Sequence, residues 1–476
     1  MAAAAVTPVR LTGTAALRVG LNFARDPLLA TRTALDTWGP FVILAEGLPF
    51  SRRARAVMLG IPLVLTAGAA FNAEILTDPE TWRGVSVLPG GPKNSAARRM
   101  IAGLPRLTGE QHEYYRNLIS PPLRRTSVEA IYPAIARIAD AEAASWPSGE
   151  IIDLWDAVGR IMQRASVELL FGGDDDRARA IITLAGRMME LKWGPGAFAL
   201  PINLPFTTYG QIVREAEKLE RHILQWAAAK RGHPDDRDLA SIIVNNPDAA
   251  GRAPDDAALV AHIASLFALS SEGSQSALTW TLLLLTQHPH VAATLRDELR
   301  SKLGGTSPSL DRAGELPYLD AVVKESMRIL PPVPLQIRVA QRDTTIAGYR
   351  LPQRTRVMIN AFLTNRMPDV FPDGETFRPE RWLEITPSSF EFPVFSAGPH
   401  LCPGYWFGTA AVKIALAAIL MRYGLDLPPD MHVDYRAQPT LRPRQRVDVR
   451  LRRVEDDTRA VTPISGTIRN LVKIPP

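Results

Sequence analysis

The chain has 476 residues, of which 46% are hydrophobic and 22% charged, with 40 prolines and a single cysteine. This composition excludes a disordered chain, and one Cys excludes an intramolecular disulfide framework. The formal charge of +6, from 55 basic against 49 acidic residues, is too diffuse for a nucleic-acid-binding stripe and compatible with an acidic protein partner.

In chain order, residues 1–49 read as an N-terminal extension. Arg10, Arg18 and Arg25 precede the first acid, Asp26, a pattern that suits a surface-lying helix or an organellar transit peptide. The uncharged stretch 56–73 contains Gly60, Pro62, Gly68 and Asn72, so it reads as strand, turn and helix start. No transmembrane anchor and a cytoplasmic location are expected. Apolar periodicity predicts helices over 127–145, 155–170, 209–231, 255–287, 290–303, 319–330 and 402–423, and strands over 57–66, 339–347, 354–359 and 444–452. No repeat or Gly/Ser linker interrupts residues 50–476, so a single compact domain is predicted, mainly α with small β-sheets. The pattern at 255–287 is apolar around much of its circumference and should cross the interior.

The only thiol lies in Phe395-Ser396-Ala397-Gly398-Pro399-His400-Leu401-Cys402-Pro403-Gly404, immediately before an apolar helical run. Pro403 suits a first helical turn, which places Cys402 at a helix N-terminus, where free N–H groups and the dipole favour an anion and lower a thiol pKa. Gly398 permits a tight turn, and Gly404 leaves room for a flat partner beside the helix.

These ten residues resemble the haem-binding signature of the cytochromes P-450, Phe-x-x-Gly-x-(His or Arg)-x-Cys-x-Gly, at every defined position. The resemblance implies haem b (iron protoporphyrin IX), with Cys402 as its axial iron ligand. It also implies His400 at a haem propionate, Phe395 packed near the thiolate, and Gly398 shaping the loop.

Glu325 and Arg328 stand at i and i+3 on one predicted helix. Glu-x-x-Arg is a weak signal alone, recurring at Glu80/Arg83, Glu113/Arg116 and Glu375/Arg378. The segment 316–332 resembles the family's K helix, however, and Phe377-Arg378-Pro379-Glu380-Arg381-Trp382 resembles the segment whose Arg, here Arg381, completes a buried triad. His112 and Arg116, four apart, resemble the pair that holds a propionate, with Arg338 as a further candidate.

The resemblance breaks on the oxygen side. Counting back from Trp280 and His288-Pro289 in the long helix, the family's acid is Glu272, but its proton-delivering Thr is Gly273. Ser271 and Ser274 are then the candidate hydroxyls, although Ser274 is rotated about 100° from position 273 on a regular helix. Gly273 is also expected to loosen the helix and admit water. Stretch 199–210 is similar to the F-G connection of branches that oxidise sterols and terpenoids. With Met188, Met189, Trp193, Phe198 and Phe206 it forms a candidate apolar roof, and Phe267, Leu269, Val333 and Leu335 are candidate pocket walls.

The implied activity is a haem-thiolate monooxygenase of secondary metabolism acting on a lipophilic molecule (terpenoid, sterol-like or fatty-acyl). Nothing past Arg452 has room for a reductase module, so electrons are expected from a separate ferredoxin- or flavodoxin-type donor. The basic stretch 442–453 is a candidate docking site for it. Gly273 keeps open a peroxide-using peroxygenase or isomerase, and a haem protein that binds ligand without turnover. A non-haem iron enzyme lacks a His-Glu-x-x-His pairing among the eight histidines.

Overall fold

The computed structural model describes residues 7–44, 62–85, 91–173, 176–193, 202–233, 238–247, 251–304, 316–437, 439–453 and 461–475. Strand β1 (Val9–Leu11) leads into helices α1 (Gly13–Arg25) and α2 (Pro27–Trp38), then β2 (Phe41–Leu44) and β3 (Leu63–Thr66). The Asp26 carboxylate accepts from the Leu28 and Leu29 N–H groups and caps α2, whose first residue is a proline with no N–H to satisfy. Strand β4 (Trp82–Gly84) precedes α3 (Gly109–Ile119), α4 (Arg125–Ala144), β5 (Ile151–Asp153), α5 (Leu154–Phe171), α6 (Asp176–Trp193) and α7 (Thr208–Lys230).

Helix α8 (Asp256–Gln287) is an unbroken 32 residues, about 48 Å at 1.5 Å per residue. Asp255 caps it, accepting from Ala258 N–H at 2.7 Å. It ends at His288 because Pro289 opens α9 (Pro289–Leu303) and disfavours helical geometry in the residue before it. Helix α10 (Pro317–Ile329) is capped from outside: the Glu298 carboxylate of α9 accepts from Tyr318 and Leu319 N–H, both at 2.8 Å.

Then follow β6 (Leu335–Ala340), β7 (Thr344–Ile346), β8 (Tyr349–Leu351), β9 (Arg356–Asn360), α11 (Tyr405–Leu420), β10 (Tyr423–Asp426), β11 (Tyr435–Ala437), β12 (Leu441–Pro443) and β13 (Asp448–Arg453). The largest sheet runs β1-β2-β3-β9-β6-β4, while β10-β13-β5, β11-β12 and β7-β8 form small sheets. Residues 9–44, set apart in the sequence reading as part of an extension, thus share a sheet with β3 and β9.

The architecture is mainly helical with small sheets, and α8 crosses the interior, packed on α5, α7, α10 and α11. Among the described residues α8 is the helix long and apolar enough to span a membrane, and it is the core helix. Predicted strand 339–347 divides into β6 and β7. Strand β6 starts earlier, at Leu335, where residues past the proline run gain β9 as a partner. The predicted strand 57–66 is β3 from Leu63 onward, its residues 57–61 lying outside the described residues. Of the candidate roof, Met188 is buried in the core and Phe206 exposed, while Phe198, 199–201 and the side chains of Met189 and Trp193 lie outside the described residues.

Candidate haem-binding site

The cysteine loop is two short 3-10 turns, Pro393–Phe395 and Gly398–His400. Cys402 N–H donates to Phe395 O at 2.8 Å and Leu401 N–H to Gly398 O at 2.9 Å. Gly398 has φ +63, and a Cβ there would stand 2.3 Å from Leu76 O. Gly398→Ala is therefore expected to destabilise the loop by about 1–3 kcal/mol, measurable as a lower melting temperature and reduced haem content after purification. Phe395 stacks edge-on against Tyr405, centroids 4.8 Å apart.

The thiol departs from expectation. Burial pushes the Cys402 thiol up, with the Gly404 N–H and the Arg116 charge opposing it. Cys402 lies three residues ahead of α11, so desolvation outweighs the single amide that reaches the sulfur. A bound metal cation reverses that balance, because a coordinated thiol is held deprotonated. A Cβ on Gly404 would lie 3.8 Å from Sγ.

Beside the loop, four basic side chains converge. The His112 and His400 rings lie 4.4 Å apart. Arg116 Nη1 donates to Leu401 O at 2.5 Å, and Arg338 Nη2 to Ser396 Oγ at 3.2 Å. Burial pushes Arg338 down to about 10. Burial, then the charges of His112, Arg338 and Arg116, push His400 down to about 4. His112 is lowered by burial and by Arg116. Among the described residues no carboxylate pairs with Arg116 or Arg338, and His400 Nε2 is buried without a hydrogen-bond partner. Two guanidinium groups without a paired carboxylate, set beside two imidazoles in a half-buried cluster, suit anionic groups from outside the chain. The propionates of a haem whose iron meets Cys402 fit that demand. Ser396, with φ +61, is a contact that sequence reasoning missed. The only signal was its place inside the motif.

On α8, Gly273 does not break the helix. Hydrogen bonding is continuous from Asp256 to Gln287, since packing on α5, α7 and α11 outweighs the roughly 1 kcal/mol propensity cost of an internal Gly. A Cβ at 273 would meet nothing within 4 Å, and Leu269, one turn earlier, is 61% exposed. This face of α8 therefore borders open space. Val333 and Leu335 are half-buried, whereas Phe267 is packed into the main core. Ser270 and Ser271 hydroxyls donate to Phe267 O at 3.1 and 3.3 Å, and Ser274 to Ser270 O at 3.4 Å. Ser274 faces α11, where a Cβ on Gly408 would stand 3.3 Å from its Oγ. Burial raises the Glu272 carboxyl, against the pull of Arg442 and Thr440, and its Oε1 is buried without a hydrogen-bond partner.

The structure brings Glu325, Arg328 and Arg381 together, all fully buried. Arg328 Nε and Nη2 donate to the two Glu325 oxygens at 2.8 and 2.9 Å, and Arg381 Nε at 3.1 Å. Arg378 N–H and Trp382 Nε1 complete the shell, each at 2.9 Å. Burial alone would raise the Glu325 carboxyl, but Arg328, Arg381 and the Arg378 N–H hold it below the ordinary carboxylate range. Trp382 is a further partner the sequence reading did not single out.

The cytochrome P450 family model matches residues 92–449. Cyclooctat-9-en-7-ol 5-monooxygenase of Streptomyces melanosporofaciens is 26% identical over 407 residues, 81% of this chain and 88% of the relative. Cytochrome P450 71D94 of Mentha gracilis is 39% identical over 174 residues, 36% of this chain and only 35% of that relative's length. A solved structure described as retinoic acid bound cyanobacterial CYP120A1 superposes with a TM-score of 0.74 at 22% identity, covering 89% of this chain and 94% of that one. At that identity the likeness speaks to the fold alone. With the family signature spanning most of the chain and a cysteine loop set against a carboxylate-seeking cluster, the chain belongs to the cytochrome P450 family, a haem-binding oxidoreductase of the monooxygenase kind.

Proposed function

We propose that this P450 inserts one oxygen atom from dioxygen into a lipophilic terpenoid, with sterol-like and fatty-acyl molecules as neighbouring substrate classes. Two electrons come from a separate ferredoxin- or flavodoxin-type protein. The observation that carries this reading is the exposed apolar side chain of Leu269 on the core helix α8, one turn before Gly273, with Val333 and Leu335 as half-buried apolar residues of the segment leading into β6. The terpenoid named for the Streptomyces relative supports the choice of class.

Bound haem supplies the oxygen-activating chemistry. On this reading Cys402 Sγ would bind the haem iron, and His112, Arg116, Arg338 and His400 would hold the haem carboxylates. Leu269, Val333 and Leu335 exclude water from the substrate, while Glu272 holds a proton beside the open space. Phe395 and Gly398 shape the cysteine loop, and Glu325, Arg328 and Arg381 brace the segment leading to it.

For the electron donor, stretch 442–453 is a weaker docking face than its sequence suggests. Arg446 pairs with Asp448, Arg452 with Asp426 at 3.2 Å, and Arg442 acts on Glu272. The cysteine-loop face suits an acidic donor better. Leu401 and Trp406 are 38% and 40% exposed there, and the Arg125 guanidinium lies 5.8 Å from the Trp406 ring.

The test is turnover of the haem-loaded protein with NADPH, a surrogate ferredoxin and its reductase, and cyclic terpenoid alcohols under 18O-labelled dioxygen. One 18O in the product, dependent on NADPH, is the expected result. The space beside Gly273 also suits a peroxide-driven reaction, so product formed only from added peroxide, or an isomer without new oxygen, replaces this reading. If dioxygen is the oxidant, Gly273→Thr, which meets no atom at Cβ, is expected to keep haem and change the fraction of NADPH lost as peroxide.

A further inference from the structure

The hairpin β11–β12 is clamped to α8 at one carbonyl. Leu441 O accepts from Ser276 Oγ at 2.5 Å and from Trp280 Nε1 at 2.9 Å, two α8 side chains four residues apart on one face. From the other side, Leu441 N–H donates to Pro332 O at 2.8 Å, tying the hairpin to the proline run that leads to Leu335. Residue 441 is thus held at three points between α8 and the segment before β6.

Its neighbours follow from that clamp. Thr440, buried, and Arg442 flank Leu441, so the clamp at Ser276 sets both beside the stretch of α8 that carries Glu272, one helical turn N-terminal to Ser276, and both favour the ionised form of its carboxyl. The helix's own hydroxyls are differently engaged: Ser270 and Ser271 donate to Phe267 O, and Ser274 faces α11.

We propose that Thr440 is the hydroxyl partner of the Glu272 carboxyl, presented across from the hairpin because residue 273 has no side chain, and that Arg442 steers the same carboxyl. This deepens the oxygenase reading above, which it presupposes for its use in turnover. Thr440 and Arg442 are positioning residues acting through Glu272. When the carboxyl is ionised, the Thr440 O–H donates to it. When it is protonated, the hydroxyl turns and accepts the carboxyl proton in a hydrogen bond. No proton is stored on Thr440, so the carboxyl alone changes charge.

Among the described residues the charged groups around Glu272 are these. Arg442 is the cation acting on Glu272, and Arg442 in turn feels Glu190 of α6 and Arg436 of β11. From α5 the contact with this part of α8 is a neutral one, Gln275 Nε2 to Trp155 O at 2.9 Å. Thr440 and Arg442 both favour the ionised carboxylate, whereas burial favours the neutral acid. Removing either partner must therefore move the titration of Glu272 to higher pH.

The experiment is an infrared pH titration of the haem-loaded full chain, following the carbonyl band of protonated Glu272, which is assigned by its loss in Glu272→Gln. Thr440→Val and Arg442→Gln are each expected to shift the titration to higher pH, and Thr440→Ser to return it to the wild-type position. Thr440→Ala takes the place of Val if the larger side chain prevents haem loading. A titration unmoved by Thr440→Val or →Ala, a Ser variant displaced as far as Val, or no Glu272 band at any pH overturns the proposal. The two readings fail separately. A wild-type enzyme that incorporates 18O yet has a Glu272 band insensitive to Thr440 loses only this pairing. One without dioxygen turnover but with a Thr440-sensitive band loses only the functional reading.

Discussion

Cys402→Ser is expected to reduce turnover to the level of the haem-free control and to abolish the red-shifted Soret band of the ferrous carbon monoxide complex. The magnitude follows from the site. Cys402 is the only thiol in the chain, and among the described residues no cluster of His, Cys, Asp or Glu offers another place for a metal ion. An alcohol in that position stays protonated at neutral pH and is a poor soft donor. The loop itself should persist, because its closure depends on the Cys402 N–H to Phe395 O bond and on the Gly398 turn, neither of which uses the sulfur. Circular dichroism of the variant is therefore expected to match wild type. A Soret band unchanged by the substitution would remove Cys402 as the ligand.

Arg328→Ala is expected to cost about 3–5 kcal/mol, the range for stranding one member of a buried ion pair. That is a large share of the 5–15 kcal/mol that holds a typical domain together. The loss is greater than one ion pair, because Arg328 also donates to Asn365 O at 2.9 Å, Gly374 O at 2.8 Å and Thr376 O at 3.2 Å. Removing it strips Asn365 O and Gly374 O of these donors and takes two of the five hydrogen bonds to Glu325, while Thr376 O keeps Arg381. Arg381 contacts the same carboxylate at 3.1 Å and cannot replace both bonds. Chemical denaturation of the apo-protein and haem content after expression measure the effect, and a change under about 1 kcal/mol would contradict it.

The same network has a pH signature. Because the Glu325 carboxyl is held below its ordinary range when folded, its stabilising contribution is present above the unfolded value and fades as pH falls through the folded one. Glu325→Gln should therefore flatten the acid limb of a stability-versus-pH curve while lowering stability at neutral pH.

Some of this site was readable from local pattern. The cysteine loop spans ten residues whose defining contacts, Cys402 N–H to Phe395 O and Leu401 N–H to Gly398 O, lie within it, so turn chemistry and residue spacing were enough. Glu325 and Arg328 lie one helical turn apart, and their contact follows from the period of α10. The predicted helices lie within three residues of those observed, because a 3.6-residue apolar period survives burial.

Other features needed the folded chain. The balance at the thiol is not a local property: the helix dipole is, whereas desolvation depends on everything packed around the sulfur. Gly273 is a residue expected to loosen α8, yet the helix is continuous through it where neighbouring helices pack. Stretch 442–453 is basic in sequence, but Arg446 pairs with Asp448 within it and Arg452 with Asp426 of β10.

By itself, the sequence determined the haem-thiolate loop, the order and type of the main helices, and the Glu325–Arg328 pair. Only the tertiary structure decided that Leu441 docks on Ser276 and Trp280, that the His112 ring lies 4.4 Å from that of His400, and that Ser396 receives Arg338. Spacing and turn rules act over about ten residues, whereas the Ser276–Leu441 contact joins positions 165 residues apart. Such contacts are set by which packed surfaces exclude water together, and no local pattern carries that information.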